Sequence, residues 1–352
     1  MRAVTVVPLQ AGSVDLTELP EPPDSDGPVL VKTRAVGVCG TDLEIIAGDY
    51  GWAPDGEERL AIGHESLGEV LEAPEGSGLA AGDLVVAIVR RPDPVPCHNC
   101  SVGEWDMCRN GQYTEWGIKQ HHGYARERYR ITEDFVVKVD QGLGNLGVLL
   151  EPTTVVAKAW DHIERIGQRA AWRPKTVLVT GAGPIGLLAA LLAVQRGLEV
   201  HVLDQVTDGL KPDLVHALGA TYHHGSVADT KVVPDVAVEC TGVGQLIFDV
   251  MDAAGANGVV CLTGVSSGGR DLSVDVGMLN RRMVLENDVV FGSVNANRRH
   301  YEAGAQALAD ADKDWLAKMI TRSPGLDSWK DAYTRQPGDV KVTLEFSEAT
   351  AK

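Results

Sequence analysis

Positive charge is what this chain has least of. Its 352 residues carry 32 Lys and Arg against 49 Asp and Glu, a formal net charge of −17. A field of that sign repels phosphate backbones and anionic lipid surfaces, which disfavours nucleic acid and membranes as partners and favours a small neutral substrate. Also missing is a charged, apolar and small-residue succession at the N-terminus. MRAVTVVPLQ reads as a strand followed by a turn, so a cytoplasmic location is the expectation. Nor is there a clean apolar run long enough for a membrane helix. Residues 177–194, VLVTGAGPIGLLAALLAV, come nearest in length, but glycines and a proline interrupt them. A strand, a tight turn and a helix account for the same residues without stranding polar backbone in lipid. Cysteine is sparse, and its placement is uneven: of Cys39, Cys97, Cys100, Cys108, Cys240 and Cys261, three fall within twelve residues. Without a secretion signal, such clustering points to metal rather than disulfides.

What is present describes an ordinary globular chain. Apolar residues make up 44% and charged residues 23%, and the length suits two domains with separate cores. The first 150 or so residues carry short apolar runs split by Gly and Pro (AVTVVPL, GPVLVKTRAVGV, GDLVVAIV), the pattern of an irregular, mostly β region. From about residue 155, strand and helix patterns alternate: TVLVTG, PIGLLAALLAVQRG, EVHVLD, VPDVAVECTG, QLIFDVMDAAG, GVVCLTG. That alternation predicts a doubly wound parallel sheet covered by helices. The last part, a strand VVFGSVNA, a single helix HYEAGAQALADADKDWLAKMIT and a strand VKVTLEF, is expected to rejoin the N-terminal region. The predicted division is therefore 1–154 with 291–352, and 155–290.

Within TVLVTGAGPIG, Gly181, Gly183 and Gly186 form G-x-G-x-x-G after a strand and at the opening of a helix, with Pro184 and Ile185 in the turn. The first glycine permits the tight turn, the second lets backbone approach a pyrophosphate, and the third allows close helix–strand packing. The helix N-terminus supplies free N–H groups for the phosphates. Asp204 follows eighteen residues after Gly186, at the end of EVHVLD. A carboxylate there accepts hydrogen bonds from ribose hydroxyls and repels a 2′-phosphate; no arginine follows in Gln205, Val206 or Thr207, so NAD is favoured over NADP. The turns at Thr241–Gly242 and Gly264–Val265 each end a later strand and are expected to line the same crevice. Cys240 and Cys261 read as small buried apolar residues.

VGVCGTD carries Cys39, Thr41 and Asp42, and IGHESLG carries His64 and Glu65. Thiolate, imidazole and carboxylate together are an ordinary zinc ligand set. VGVCGTD, GHESLG and GAGPIG, in that order and spacing, resemble the zinc-containing medium-chain dehydrogenases over essentially the whole chain. RRPDPVPCHNCSVGEWDMC, NGQYTEWGI and GSVNAN resemble the glucose dehydrogenase branch of that family.

The resemblance implies a GroES-like catalytic domain joined to a Rossmann domain, and a dimer or tetramer. It makes Cys39 and His64 permanent ligands of a catalytic zinc, with Glu65 binding directly or through water and Glu151 in the exchangeable position. Thr41 corresponds to the hydroxyl that starts a proton relay. Glu115, Asn295 and Arg90 are implied to meet sugar hydroxyls. The implied reaction takes hydride from C1 of an aldose to the nicotinamide, with zinc lowering the pKa of the anomeric hydroxyl, and yields a lactone. A zinc polyol or secondary-alcohol dehydrogenase is the nearest alternative. A non-catalytic zinc- or redox-sensing NAD-binding protein is the alternative of another kind, and it leaves Cys39, His64, Glu65 and Glu151 without a role.

One departure concerns the family's structural zinc lobe, C-x2-C-x2-C-x7-C. Here the first position is Pro94, leaving Cys97, Cys100 and Cys108. A structural zinc held by these three and Asp93 is the expectation, with His98 as the other acceptable donor. His121 and His122 read as loop-supporting residues.

Overall fold

The computed structural model describes residues 1–266, 268 and 271–346. The chain forms two compact units, Met1–Glu151 with the segment from Ala296 onward, and Pro152–Asn295.

The first unit is built on a seven-stranded sheet whose middle is the long strand Val29–Gly37. Glu65–Glu72 and Lys341–Glu345 flank that strand, both antiparallel to it, and Arg128–Ile131 pairs with its first half. The register sets Gly37 opposite Glu65 on one side and Thr343 on the other, so the chain's last strand arrives beside the segment that leads into Cys39. Val, Ile and aromatic side chains from these strands and from the segments beside them make the core, including Val31, Val36, Ile62, Tyr124, Tyr129 and Leu344. Complete burial of each such aliphatic side chain contributes roughly 1.5–3 kcal/mol.

The second unit is a six-stranded sheet with every neighbouring pair parallel. In chain order the strands are Thr176–Thr180, Glu199–Leu203, Thr221–His223, Val236–Glu239, Val259–Leu262 and Val289–Gly292. Their spatial order is third, second, first, fourth, fifth, sixth, the order of a doubly wound dinucleotide-binding sheet. Thr176–Thr180 is β-branched and buried along nearly its whole length. The helix Pro184–Gln195 begins on a proline at its first turn and is buried from Gly186 to Ala193. Its apolar character on all sides, which made residues 177–194 look long enough for a bilayer, belongs to an interior helix. Among the described residues no helix is long and apolar enough to cross a membrane.

Two expectations change. Val289–Gly292 pairs in parallel with Val259–Leu262 and closes the second sheet, instead of starting the return to the first unit. The helix Val276–Glu286, which the sequence reading did not pick out, is the crossover that precedes it. The single helix expected over residues 300–321 is two, Arg298–Ala309 and Lys313–Met319. Asp312 starts the second by accepting the N–H groups of Asp314 and Trp315, and this side-chain competition ends the first.

Candidate functional site

Cys39 is the N-cap of the helix Gly40–Ala47. Asp42, in that helix's first turn, accepts the Cys39 N–H at 2.9 Å and the Gly63 N–H at 3.2 Å. Its Oδ1 also lies 3.3 Å from His64 Nδ1. One buried carboxylate thus fixes the backbone of both ligand loops and turns the His64 ring. With Nδ1 facing Asp42, Nε2 is the ring atom left for a metal, the arrangement that carboxylate–histidine pairs give metal sites. Burial works against a charge on His64, but Asp42 and Cys39 outweigh it and hold its pKa well above the ordinary value.

Cys39, His64 and Glu65 each bring a ligand atom to within 4.8 Å of the others, and the histidine and glutamate are buried. A thiol, an imidazole and a carboxylate so placed, with a carboxylate behind the imidazole, fit a zinc ion. Glu65 is also ion-paired with the buried Lys341. Glu151, at the start of the helix Leu150–Gly167, is half-buried and is not within this three-residue group. Burial pushes its carboxyl up to about 7, Glu65 and Asp42 add to the rise, and His64 and Lys341 oppose it. Thr41, half-buried, occupies the same helix turn as Asp42.

The structure brings Arg90 and Glu115 together. They face each other across the pair Arg90–Arg91 and Thr114–Trp116, both buried, with guanidinium nitrogens 3.0 Å from Glu115 Oε1. Arg90 also stacks on Tyr113, 3.7 Å from the ring centre. Asn295 lies at the end of the other unit, in the left-handed region at φ 63°.

In the cysteine lobe the thiols of Cys97, Cys100 and Cys108 come within 4.8 Å of one another. The Arg109 N–H donates to Cys97 Sγ and, with the Cys100 N–H, lowers the Cys97 thiol to about 6. Burial raises Cys100 to about 11. Asp93 is not drawn into the thiol group: its oxygens accept from the Val95 N–H at 2.8 Å and from the Asn110 side chain. His98 is likewise outside the group. His122 accepts the Ala61 N–H at 3.0 Å and meets Glu57 at 2.8 Å, a loop-supporting role, while His121 stacks on Trp116.

The nucleotide motif is built as its spacing requires. Gly181 has φ +87°, and a Cβ on Gly186 would run into the Gly181 carbonyl oxygen, whereas a Cβ on Gly183 would enter open space at the helix N-terminus. That open approach is where a pyrophosphate fits. Asp204 Oδ2 accepts the Ala182 N–H at 2.6 Å, and Oδ1 accepts those of Gln205 and Val206. Burial raises its pKa, but these N–H groups and Lys211, 3.3 Å away, outweigh burial and keep it low. Thr241 and Gly242 both donate backbone N–H groups to the buried carboxylate of Glu239, and the packing of Gly264 against Gly242 leaves no room for a Cβ. Val265 is exposed beyond that turn. Burial raises the thiols of Cys240 and Cys261, the former to about 12, in keeping with inert apolar roles.

Sequence reasoning missed three residues here. Lys211 lies seven residues beyond Asp204, outside the stretch searched for a cation. Glu239 is a lone acid ending an apolar strand. Lys341 belongs to a strand whose lysine looks solvent-facing.

A zinc-type ligand cluster in one unit and a dinucleotide turn in the other define a class, the zinc- and nicotinamide-dependent dehydrogenases. The family model described as Alcohol dehydrogenase GroES-like domain matches residues 25–141, and Glucose dehydrogenase C-terminus matches residues 144–346. Glucose 1-dehydrogenase from Methanocella arvoryzae is 38% identical over 98% of this chain and 99% of its own length. Glucose 1-dehydrogenase 2 from Vulcanisaeta moutnovskia is 41% identical over 99% of this chain and 100% of its own. Among solved structures, Haloferax mediterranei glucose dehydrogenase in complex with NADP, Zn and gluconolactone superposes with a TM-score of 0.91 at 32% identity, covering 99% of each chain. The chain belongs to the zinc-containing medium-chain dehydrogenase family, in its glucose dehydrogenase branch, and is an α/β enzyme of GroES-like and Rossmann units.

Proposed function

We propose that this chain oxidises a glucose-like aldose at C1 with a nicotinamide nucleotide, giving the lactone. The observation that carries the reading is the Cys39–His64–Glu65 cluster, its ligand atoms within 4.8 Å, in a chain similar to glucose 1-dehydrogenases over nearly its full length. Cys39, His64 and Glu65, with Glu151 as an exchangeable fourth group, would hold the zinc. Zinc supplies Lewis acidity that lowers the pKa of a substrate hydroxyl. Asp42 keeps the His64 ring oriented throughout. The Thr41 hydroxyl accepts the substrate proton and passes it on. Glu151, whose carboxyl burial pushes up, takes up or releases a proton when it is off the metal. Arg90, Glu115 and Asn295 bind the remaining sugar hydroxyls and penalise substrates that lack them. Glycines 181, 183 and 186 seat the pyrophosphate, and the turns at Thr241 and Gly264 border the nucleotide.

For the cofactor we favour NAD. The Asp204 carboxylate opposes a 2′-phosphate, while Lys211 tempers that opposition, so the reading is a preference and not an exclusion. The Haloferax structure, which holds NADP, makes the comparison a necessary one. In the cysteine lobe we propose a structural zinc on Cys97, Cys100 and Cys108, with Asp93 giving up its present bonds to join them. Kinetics on a panel of aldoses, inositols, polyols and simple alcohols, with NAD and with NADP, tests the function. Turnover of polyols and none of any aldose overturns the sugar assignment. Elemental analysis giving one zinc per chain rather than two removes the structural site.

A further inference from the structure

Arg126 is 3% exposed, yet its buried Nε has no hydrogen-bond partner among the described residues. Asp26 and Glu57 attract its guanidinium only through space, and burial outweighs them, pulling its pKa down to about 10. Arg90, buried to a similar degree, shows the ordinary arrangement, with Glu115 at 3.0 Å. A buried cation without a bonded anion costs several kcal/mol on the order of a broken ion pair, so Arg126 is an exception within the same unit.

The same guanidinium borders a cavity of about 250 Å³ that lies wholly within the first unit. One wall is apolar, made by Leu19, Pro20, Pro22, Pro23 and Pro54. Trp116, whose buried indole N–H is also without a partner, joins Arg126 on the polar side. Two carboxylates reach the cavity. That of Glu57 is already engaged, because His122 accepts the Ala61 N–H on Nδ1 and donates from Nε2 to Glu57 at 2.8 Å. Asp26 is half-buried, and burial pushes its carboxyl up although Arg126 and His122 oppose the rise. The cavity therefore holds a cation and a carboxylate that do not satisfy each other. A simple anion would meet Asp26 and Glu57, in a chain of net charge −17. A simple cation would meet Arg126, and an apolar molecule would leave the guanidinium uncompensated. Drug-sized ligands take roughly 300–1,000 Å³, so the occupant is smaller than these.

We infer that this cavity is a binding site for a small α-amino acid in its zwitterionic form, with the carboxylate on Arg126, the ammonium toward Asp26 and an apolar side chain against the proline wall. The guanidinium fork matches a carboxylate with two parallel hydrogen bonds. The ligand supplies the partner that the chain itself does not give Arg126, and its opposite ends cancel the charge that either would bring alone.

The test is isothermal titration calorimetry on the purified full chain with glycine, alanine, proline and leucine. At least one is expected to bind one per chain with a Kd at or below about 1 mM. Acetate, methylammonium and glucose, which carry one feature or neither, are expected to bind at least about tenfold more weakly. Arg126→Met is expected to lose at least about tenfold in affinity for the amino acid; Arg126→Lys, which keeps the charge without the fork, is expected to lose about as much and serves if the methionine variant does not fold. Asp26→Asn is expected to weaken amino-acid binding about tenfold. No saturable binding of any of the four overturns the site. Acetate binding as tightly as the amino acids, or an unchanged affinity in Asp26→Asn, overturns the zwitterion and leaves an anion site. Undiminished binding in both folded Arg126 variants places the ligand elsewhere and overturns the proposal.

Discussion

Asp42 Oδ1 lies 3.3 Å from His64 Nδ1 while the same carboxylate accepts the Cys39 and Gly63 N–H groups. The ligand loops thus share one anchor. Asp42→Asn keeps the size and loses the charge that raises His64 basicity. It is expected to weaken zinc binding by about 10–100-fold, read by chelator competition, and to lower kcat/KM with it. Wild-type zinc affinity in this variant would show that the histidine needs no carboxylate behind it.

Gly186 packs where a Cβ would meet the Gly181 carbonyl. Gly186→Ala is expected to destabilise the chain by about 1–3 kcal/mol through overpacking and to raise the KM for nucleotide more than that for sugar. Urea unfolding and initial-rate kinetics separate the two effects. An unchanged nucleotide KM would remove the turn from the binding site.

Asp204 and Lys211 form a pair at 3.3 Å beside the nucleotide turn. Asp204→Ser removes the repulsion toward a 2′-phosphate and leaves Lys211 unneutralised. The ratio of kcat/KM for NADP over NAD is expected to rise about tenfold, worth about 1.4 kcal/mol. A ratio that stays put assigns Asp204 to the turn it caps.

Arg90 and Glu115 are buried against each other at 3.0 Å. Glu115→Ala strands a buried guanidinium and is expected to cost about 3–5 kcal/mol, whereas the double change Arg90→Met with Glu115→Leu recovers most of that. If the pair also binds sugar, the stable double variant has a higher KM for aldose and an unaltered KM for nucleotide. A normal sugar KM would make the pair purely architectural.

His121 is held at about 4, chiefly by burial and further by Arg91, His122 and Arg126. In the unfolded chain it titrates near ~6.5, so between those values the unfolded state binds the extra proton. Its contribution to stability is complete above about pH 6.5 and declines by up to about 3 kcal/mol as pH falls toward 4. Denaturant unfolding across that range should show a shallower decline for His121→Gln than for the parent; parallel curves would exonerate this histidine.

The sequence alone determined the parts that depend on local rules. Strand–turn–helix with G-x-G-x-x-G needs only neighbouring residues, because the turn's φ, the close helix packing and the phosphate approach are all set within a few positions of Gly181. Cys39 and His64 stood out as candidate donors because VGVCGTD and IGHESLG resemble zinc-dehydrogenase motifs; residue type alone did not mark them. What sequence could not decide is what those donors meet. In KVTLEF, Lys341 and Thr343 alternate with Val342 and Leu344 and look like a solvated face, yet both faces are buried. Only the pairing of this last strand with Val29–Gly37, some three hundred residues earlier in the chain, turns Lys341 onto Glu65. The strand Val289–Gly292 took its place in the second sheet for the same reason, as did Asp93 its bond to Asn110. Partners distant in sequence are chosen by packing and hydrogen bonding in three dimensions, and no local pattern records that choice.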